Sequence, residues 1–234
     1  MLCPIFWARH KHGRDLGKKN SGPTASALRA FMLAYNVVMS GFSAWCFYVM
    51  YGTMFKYEVK TNDCSLFNSD PRYKQMAQLF YLSKYVEFLD TFFLIARAKR
   101  VSWLHYLHHI GAPIDMGLIV MTGTEVGWIF IFLNSIIHTM MYGYYALLLV
   151  GVRPPGKVLI TFAQIVQFFT GFYIIYDYKN VPCYGKSAAN MVVWWYNYIY
   201  VGLVLFLFLI FFLREYVMGA NKKKKNAAKQ RKQK

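Results

Sequence analysis

The sequence is poor in the residue types that mark metal centres. Its 234 residues include four cysteines and six histidines, and no two cysteines form a C-x-x-C pair, which argues against a zinc ribbon. Acidic residues are also scarce, with 10 Asp and Glu against 27 Lys and Arg. No cleavable signal peptide is evident, because Met1–Trp7 is too short for its apolar core and the basic residues follow this segment instead of preceding it.

Apolar side chains are abundant. Of all residues, 57% are hydrophobic and 19% aromatic, more than a water-soluble domain of this length needs. A helix of about 20 apolar residues crosses a bilayer. Six runs have roughly this length: Ala27–Tyr51, Lys74–Ile95, Trp103–Met121, Val126–Val150, Lys157–Tyr176 and Ala188–Leu213. We therefore predict an all-α polytopic membrane protein, with a basic N-terminal segment (1–26), a six-helix transmembrane domain (27–214) and a basic tail (215–234).

The distribution of basic residues predicts the orientation in the membrane. Six spans put both termini on one side, and most Lys and Arg lie at the termini and in the loops on that same side. The positive-inside rule then places both termini in the cytosol. We expect the tail to contact anionic membrane lipid and no nucleic acid. Its last four residues, 231–234, look like a dilysine-type retrieval signal of the endoplasmic reticulum.

Two cysteines, Cys64 and Cys183, lie in loops on the opposite side of the membrane in this topology. That side is the lumen, which is an oxidising compartment. We therefore predict a disulfide between Cys64 and Cys183.

Ionisable residues inside a span are costly, and they mark a functional site by default. The second span contains Lys84, Glu87 and Asp90, spaced three apart and therefore on one helix face. Two interpretations stay open at this point: the three residues support the helix bundle by pairing with one another and with neighbouring helices, or they contact a substrate directly.

The next three spans each carry polar residues at helical spacing. The members of these stripes are His105, His108 and His109; Asn134, His138, Tyr142 and Tyr145; and Thr161, Gln164 and Gln167. Together with the second span, they predict one interior cavity with a polar zone. The histidines follow the cytosolic link 97–102 closely, so we expect the site to lie near the cytosol. Arg97 and Lys99 in this link suit an anionic head group such as the phosphates of coenzyme A, although the positive-inside rule alone would also put them there.

The pattern H-x-x-H-H also occurs in membrane di-iron desaturases and hydroxylases, but those enzymes need more histidines than the six of this chain. Three histidines can hold one zinc ion with a water. However, the side chains of the adjacent His108 and His109 point about 100° apart on a helix, which disfavours their binding the same metal ion. We therefore expect no metal and no other cofactor. A neutral imidazole can act as a general base or as a nucleophile toward a thioester, and both roles suit acyl transfer from coenzyme A.

Four blocks of the sequence, in order, resemble the very-long-chain fatty acid elongase (ELO) family. They are KYVEFLDT (Lys84–Thr91), HYLHH (His105–His109), NSIIHTMMYGYY (Asn134–Tyr145) and TFAQIVQF (Thr161–Phe168). The resemblance extends from about Tyr35 to the end of the last span. The stretches LHHIGAPIDM and NVPCYG look most like the elongases of polyunsaturated eighteen-carbon acyl chains, a branch in which the residue at His105 is often Gln.

The resemblance implies a ketoacyl-CoA synthase of the endoplasmic reticulum. Such an enzyme condenses a long acyl-CoA with malonyl-CoA, releases carbon dioxide and coenzyme A, and forms a 3-ketoacyl-CoA. The implied fold is a barrel of transmembrane helices around an acyl tunnel, and we expect this chain to lack the family's first helix. The implied partners are acyl-CoA, malonyl-CoA, membrane lipid, a second copy of the chain, and the ketoacyl reductase, dehydratase and enoyl reductase of the elongation cycle.

By the same resemblance, His108 would be the nucleophile that accepts the acyl group, and His138 would be its partner near the thioester. His105 and His109 would orient them or assist proton transfer, and Asn134 would orient His138. The remaining polar residues would hold the polar zone together or contact substrate: Lys84, Glu87, Asp90, Tyr142, Tyr145, Gln164, Gln167, Arg97 and Lys99.

Two alternatives belong to other classes of protein. A membrane metal enzyme with a histidine box, such as a desaturase or hydrolase, is disfavoured by the histidine count. A receptor or transporter of the heptahelical type would explain a cavity with polar stripes. It would not explain why three histidines cluster next to the cytosolic face.

Overall fold

The structure, a computed structural model, describes residues 23–57, 70–181 and 187–218. Within these ranges the chain is helical and contains no strand, so the predicted all-α class is confirmed. The helices are α1 (Pro23–Tyr57), α2 (Pro71–Val86), α3 (Phe88–Ala96), α4 (Trp103–Thr122), α5 (Gly127–Leu149), α6 (Lys157–Tyr178) and α7 (Ala188–Phe212), which continues as a π-helix over Leu213–Met218.

The second predicted span is formed by α2 and α3, which meet at Glu87. The backbone N–H of Glu87 still donates to the carbonyl of Ser83 at 2.9 Å, while the N–H of Asp90 donates to the carbonyl of Glu87 at 3.0 Å. The second of these bonds spans three residues and not four, so the helix tightens for one turn without unwinding. Glu87 lies at this break and is 3% exposed.

The histidine-bearing helix α4 has defined ends. Ser102 lies at its N-cap and its hydroxyl accepts from the backbone N–H of His105 at 3.1 Å. Gly123 ends the helix in the left-handed conformation, with φ 65°, a conformation that glycine adopts without a steric penalty. These two caps fix where α4 begins and ends, and they place the three histidines in its first two turns.

The helices pack as a closed ring. Going around it, α1 contacts α5, α5 contacts α6, α6 contacts α7, α7 contacts α4, α4 contacts α2, and α2 returns to α1. A contact between α2 and α5 crosses the ring. Each of the six helices of the ring has two neighbours in it, and one face of α2, α4, α5 and α7 is turned towards a shared interior. The predicted barrel of membrane helices is confirmed in this form.

The outer surface of the ring is apolar. Large side chains such as Tyr48 (75% exposed), Trp103 (71%) and Leu159 (71%) point outwards, as expected for helices in contact with lipid. Among the described residues, three segments are long and apolar enough to cross a membrane by length and composition alone: Ala25–Met54, Lys157–Tyr178 and Ala188–Met218. The other three predicted spans carry the ionisable and histidine residues of the predicted site.

Some predictions concern residues outside the described ranges. The Cys64–Cys183 disulfide, the first 22 residues and the basic tail beyond residue 218 are in this group. Among the described residues, Cys46 is a buried free thiol in the apolar core.

Candidate active site

A buried ion pair lies at the break between α2 and α3. The Lys84 ammonium donates to Oε1 of Glu87 at 2.7 Å and to Oδ1 of Asn134, on α5, at 3.0 Å. Both charged residues are 3% exposed. A buried charge is tolerated when it is paired and its hydrogen bonds are satisfied, and the network meets both conditions. The predicted pairing of Lys84 with Glu87 is therefore present, and Asn134 joins it from the neighbouring helix.

The same carboxylate connects the ion pair to His138. Oε1 of Glu87 lies 3.5 Å from Nδ1 of His138, which is 6% exposed on α5. The His138 ring also meets the ring of Tyr142 edge to face, with centroids 5.4 Å apart. Glu87 and Tyr142 thus restrict the imidazole, and the contact with Glu87 is made by Nδ1 and not by Nε2.

The three histidines of α4 divide into two groups. His105 and His109 stack on each other with ring centroids 4.0 Å apart, and Nε2 of His105 lies 2.8 Å from the hydroxyl of Thr91 on α3. The His108 ring is nearly perpendicular to that of His109, with centroids 5.5 Å apart. The predicted patch therefore forms, but His108 faces a different set of partners from the other two.

His108 is held by a residue that sequence reasoning did not select. The phenol of Tyr200, on α7, lies 3.3 Å from Nδ1 of His108 and donates to the backbone carbonyl of His108 at 3.1 Å. The Tyr200 ring covers Gly111, where an added Cβ would lie 2.1 Å from a ring carbon. The absence of a side chain at Gly111 is what allows α7 to reach His108. Gly111, two residues after the histidine box, was the sequence feature that could have predicted this close approach of another helix.

His108 and His138 meet around Glu87. One nitrogen of each imidazole and one carboxylate oxygen of Glu87 lie within 4.8 Å of one another. This donor set, and not a set of three α4 histidines, is the one that could hold a zinc ion. However, the carboxylate already pairs with Lys84, whose positive charge would repel a cation at this point. The prediction that the site uses no metal stays a prediction.

Asp90 and Tyr142 form a second polar contact between α3 and α5. The phenol of Tyr142 donates to Oδ2 of Asp90 at 2.7 Å, and Tyr142 is 1% exposed. Tyr145, one turn further along α5, is 46% exposed and packs against Tyr144. The contact between Asp90 and Tyr142 therefore holds α3 against α5 beside the ion pair.

The two glutamines of α6 differ in position. Gln164 is partly buried and its amide lies 3.7 Å from the sulfur of Met141. Gln167 is buried and lines a narrow interior cavity of about 30 Å³. Polar and apolar side chains from five helices form the walls of this cavity: Phe80, Lys84, His108, Ala112, Asp115, Met116, Phe130, Asn134, Gln167, Phe168, Tyr200 and Val201. Asp115 is a second residue that sequence reasoning did not select.

A separate cavity of about 270 Å³ lies between the ends of α1, α3 and α5. Arg29 and Arg97 line it, and Arg29 donates to the carbonyl of Leu149 at the end of α5. Partial burial lowers the pKa of Lys99, and the nearby cations Arg97 and Lys157 lower it further. The predicted basic residues at this rim are therefore close enough to repel one another electrostatically. They lie at the end of the ring where α3 meets the link to α4.

A closed ring of apolar helices around paired histidines and a buried ion pair defines a multi-pass membrane protein with an interior histidine site. The model of the ELO (GNS1/SUR4) family matches residues 6–226, and the chain belongs to this family. The predicted family is thus confirmed.

Individual relatives agree with the family assignment. Putative fatty acid elongase 2 of Schizosaccharomyces pombe is 33% identical over 158 residues, 63% of this chain and 41% of the relative. Very long chain fatty acid elongase 7 of Drosophila melanogaster is 29% identical over 211 residues, 84% of this chain and 62% of the relative. Very long chain fatty acid elongase 6 of Rattus norvegicus is 32% identical over 179 residues, 73% of this chain and 65% of the relative. The chain spans less than two thirds of the length of each.

Proposed function

We propose that this protein condenses a long-chain acyl-CoA with malonyl-CoA to form a 3-ketoacyl-CoA, carbon dioxide and coenzyme A, the first step of fatty acid elongation. The observation that carries the proposal is the meeting of His108 and His138 around Glu87 inside the helix ring. The fatty acid elongases among the relatives support it. We further propose polyunsaturated acyl chains as substrates, and the endoplasmic reticulum membrane with cytosolic termini as the location.

In the first step His108 acts as the nucleophile. The phenol of Tyr200 has one proton, which goes to the His108 carbonyl, so its oxygen accepts from Nδ1–H of the His108 ring. The lone pair is then on Nε2, which attacks the thioester carbonyl. A carbon–nitrogen bond forms, the carbon–sulfur bond breaks, and the thiolate of coenzyme A takes up the proton that Nδ1 gives up.

In the second step malonyl-CoA loses carbon dioxide, and the electron pair of the broken bond becomes a carbon nucleophile next to its thioester. This carbon attacks the acyl group on His108. The new carbon–carbon bond forms, the carbon–nitrogen bond breaks, and one proton from solvent restores neutral His108. His138 suits the delivery of this proton, because its Nδ1 faces the Glu87 carboxylate and its Nε2 is free of that contact.

The remaining site residues hold this arrangement. Lys84 fixes the Glu87 carboxylate beside His138, and Asn134 fixes Lys84. His105 and His109 stack on each other, and His105 also contacts the hydroxyl of Thr91, so the two support the turn of α4 that carries His108. We propose that Arg97 and Lys99 bind the phosphates of coenzyme A at the rim, where neighbouring cations already act on Lys99. A second copy of the chain and the three other enzymes of the cycle are the proposed partners.

The experiment uses the purified full-length protein with a panel of acyl-CoAs and labelled malonyl-CoA, and it measures 3-ketoacyl-CoA and carbon dioxide. We expect product from long polyunsaturated acyl-CoAs. When malonyl-CoA is omitted, we expect one acyl group on His108 by peptide mass analysis. His108→Ala should abolish both. Tyr106→Phe, on the outward face of α4, is the matched control and should retain both. Full condensation by His108→Ala would contradict the acyl-enzyme step.

A further inference from the structure

The cavity of about 270 Å³ between the ends of α1, α3 and α5 lies apart from the site of the proposed chemistry. None of its lining residues also lines the interior cavity at His108. Apolar side chains and two arginines form its walls: Ala25, Leu28, Met32, Leu148 and Leu149, with Arg29 and Arg97. Its volume is several times the roughly 30 Å³ that one water molecule takes. The cavity therefore admits a polar group of a larger molecule.

The two arginines of this cavity come from different helices and have no acidic partner among the described residues. Arg29, on α1, donates through Nε and Nη2 to the carbonyl of Leu149 at the end of α5. A guanidinium has five N–H donors, so the Nη1 group of Arg29 stays available to another acceptor. Neither Arg29 nor Arg97 forms an ion pair with a described residue, and no acidic side chain lines the cavity. Two positive charges thus share one cavity without a counter-charge from its walls.

The turn that ends α3 holds Arg97 at the cavity. Arg97 is the C-cap of α3, and the next residue, Ala98, has the left-handed conformation with φ 54°. The N–H of Ala98 donates to the carbonyl of Ile95 at 2.9 Å, and the N–H of Lys99 donates to the carbonyl of Leu94 at 2.8 Å. These two bonds form a Schellman motif, which normally has glycine at the left-handed position. The motif fixes the backbone of Arg97 beside α1.

The surroundings of the cavity favour a lipid as its occupant. On α1, Phe31 lies next to the cavity-lining Met32 and is 50% exposed, and Leu148 of the cavity wall is 39% exposed. Such apolar surface is expected to contact lipid chains. Basic pockets between membrane helices at the cytosolic side bind anionic lipid head groups. The positive-inside rule explains why basic residues lie at this end of the ring, but not why Arg29 and Arg97 share one cavity.

We propose that this cavity binds the phosphate of an anionic phospholipid, with the guanidinium groups of Arg29 and Arg97 donating to its oxygens and the apolar walls contacting the glycerol and the first carbons of its chains. A guanidinium presents paired donors that match the oxygens of a phosphate. The lipid connects α1 to α3 and stabilises this end of the ring. This inference goes beyond the proposed function and does not depend on it. Arg97 also borders the rim proposed for coenzyme A, so Arg29 is the residue that separates the two sites.

The experiment titrates the full-length protein in detergent with phosphatidylglycerol, whose phosphate is its only charge, or with phosphatidylcholine, and counts bound lipid by native mass spectrometry. We expect one tightly bound phosphatidylglycerol per chain and weaker binding of phosphatidylcholine. Arg29→Gln should weaken phosphatidylglycerol binding by roughly tenfold, because charge-assisted hydrogen bonds are lost. Arg29→Lys should retain part of the binding, because the charge remains. Arg214→Gln, on the π-helix after α7 and outside the cavity walls, is the control and should bind as the wild type does.

A second variant tests the cavity without removing an arginine. Ala25→Trp fills the cavity and leaves both guanidinium groups in place, so it should also lose the bound phosphatidylglycerol. Phosphatidylglycerol should raise the melting temperature of the wild type and of Arg214→Gln, but not that of Arg29→Gln or Ala25→Trp. The melting temperature without added lipid shows whether each variant is folded.

Three results would overturn the inference. Equal losses in Arg29→Gln and Arg214→Gln would mean that the lipid responds only to surface charge. Equal binding of phosphatidylcholine would mean that the phosphate charge is not recognised. Displacement of phosphatidylglycerol from the wild type by coenzyme A would assign the cavity to the nucleotide. A failure of the protein to elongate acyl-CoA would contradict the proposed function and would leave the lipid measurements to decide this inference.

Discussion

The phenol oxygen of Tyr200 lies 3.3 Å from Nδ1 of His108 and 3.1 Å from the backbone carbonyl oxygen of the same residue. These two contacts connect α7 to α4 across 92 residues of sequence. A phenol has one proton, so when the carbonyl takes it, the ring nitrogen is the donor in the other contact. In that arrangement Tyr200 selects the His108 tautomer with its proton on Nδ1, and Nε2 carries the lone pair.

Tyr200→Phe should lower kcat by roughly tenfold to a hundredfold, because the imidazole loses the partner that fixes its tautomer and orientation. KM for acyl-CoA should change little. Single-turnover measurement of acyl-enzyme formation on His108 checks the expectation, since a purely structural effect would not slow this step selectively. Tyr196→Phe is the matched control, because it removes a hydrogen bond from α7 to the carbonyl of Gly111 but leaves His108 untouched. Equal effects of the two variants would contradict the assigned role.

Gly111→Ala should displace the Tyr200 ring, because the new Cβ would lie 2.1 Å from it. We expect a loss of stability of about 1–3 kcal/mol from overpacking and a loss of kcat in the same direction as in Tyr200→Phe. Thermal unfolding in detergent and turnover measure the two effects. Gly41→Ala, on α1, is the control: nothing lies within 4 Å of its added Cβ, so it should be neutral or slightly stabilising. A wild-type melting temperature for Gly111→Ala would show that α7 does not approach α4 this closely.

Removing either Lys84 or Glu87 from the buried ion pair should destabilise the protein more than removing both. Lys84→Met or Glu87→Gln alone should destabilise the protein by about 3–5 kcal/mol, because each leaves a buried group without its counter-charge. The double variant should be more stable than the sum of the single losses predicts. A double-mutant cycle of thermal unfolding measures this coupling. Additive losses would mean that Lys84 and Glu87 do not act as a pair.

Tyr142→Phe should leave the carboxylate of Asp90 without the 2.7 Å hydrogen bond that it accepts across the α3–α5 contact. The expected loss is about 1–3 kcal/mol in the free energy of unfolding. Thermal unfolding checks it, with Tyr145→Phe as the exposed control on the same helix. If both variants melt at the same temperature as the wild type, the contact with Asp90 does not stabilise the ring.

Much of the fold follows from local patterns. Each predicted span is helical, five as single helices and the second as two, because long apolar runs with few helix breakers leave a buried backbone no other way to form its hydrogen bonds. The division of the second span at Glu87 was not predicted. Its sequence holds neither Pro nor Gly there, and those residues are the usual signals of a break. The three-residue spacing of Lys84 and Glu87 suits the tightened turn, but the sequence alone does not distinguish it from an ordinary helix.

The candidate site also has features that local patterns predicted and features that they did not. Helical periodicity predicted that His105, His108 and His109 form one patch, and their rings contact one another as expected. It also predicted one stripe on α5, where the rings of His138 and Tyr142 are in contact. Which members meet across helices depends on how far each helix is rotated and shifted along its axis. Packing against neighbours sets both quantities. As a result, His108 lies near His138 and Glu87, while His105 and His109 stack on each other.

The sequence by itself determined that the described parts of the chain are helical, that three of their segments are apolar enough to cross a membrane, and that four of the predicted spans carry polar stripes. These properties depend on residue type and on spacing within one helix. Only the tertiary structure decided that Lys84 bonds Asn134, that Tyr200 contacts His108, and that Oδ1 of Asp115 has no hydrogen-bond partner among the described residues. The contact of Lys84 with Asn134 joins residues 50 positions apart in the sequence, and the contact of Tyr200 with His108 joins residues 92 positions apart. Closure of the helix ring brings these residues together, and no local pattern in the sequence does so.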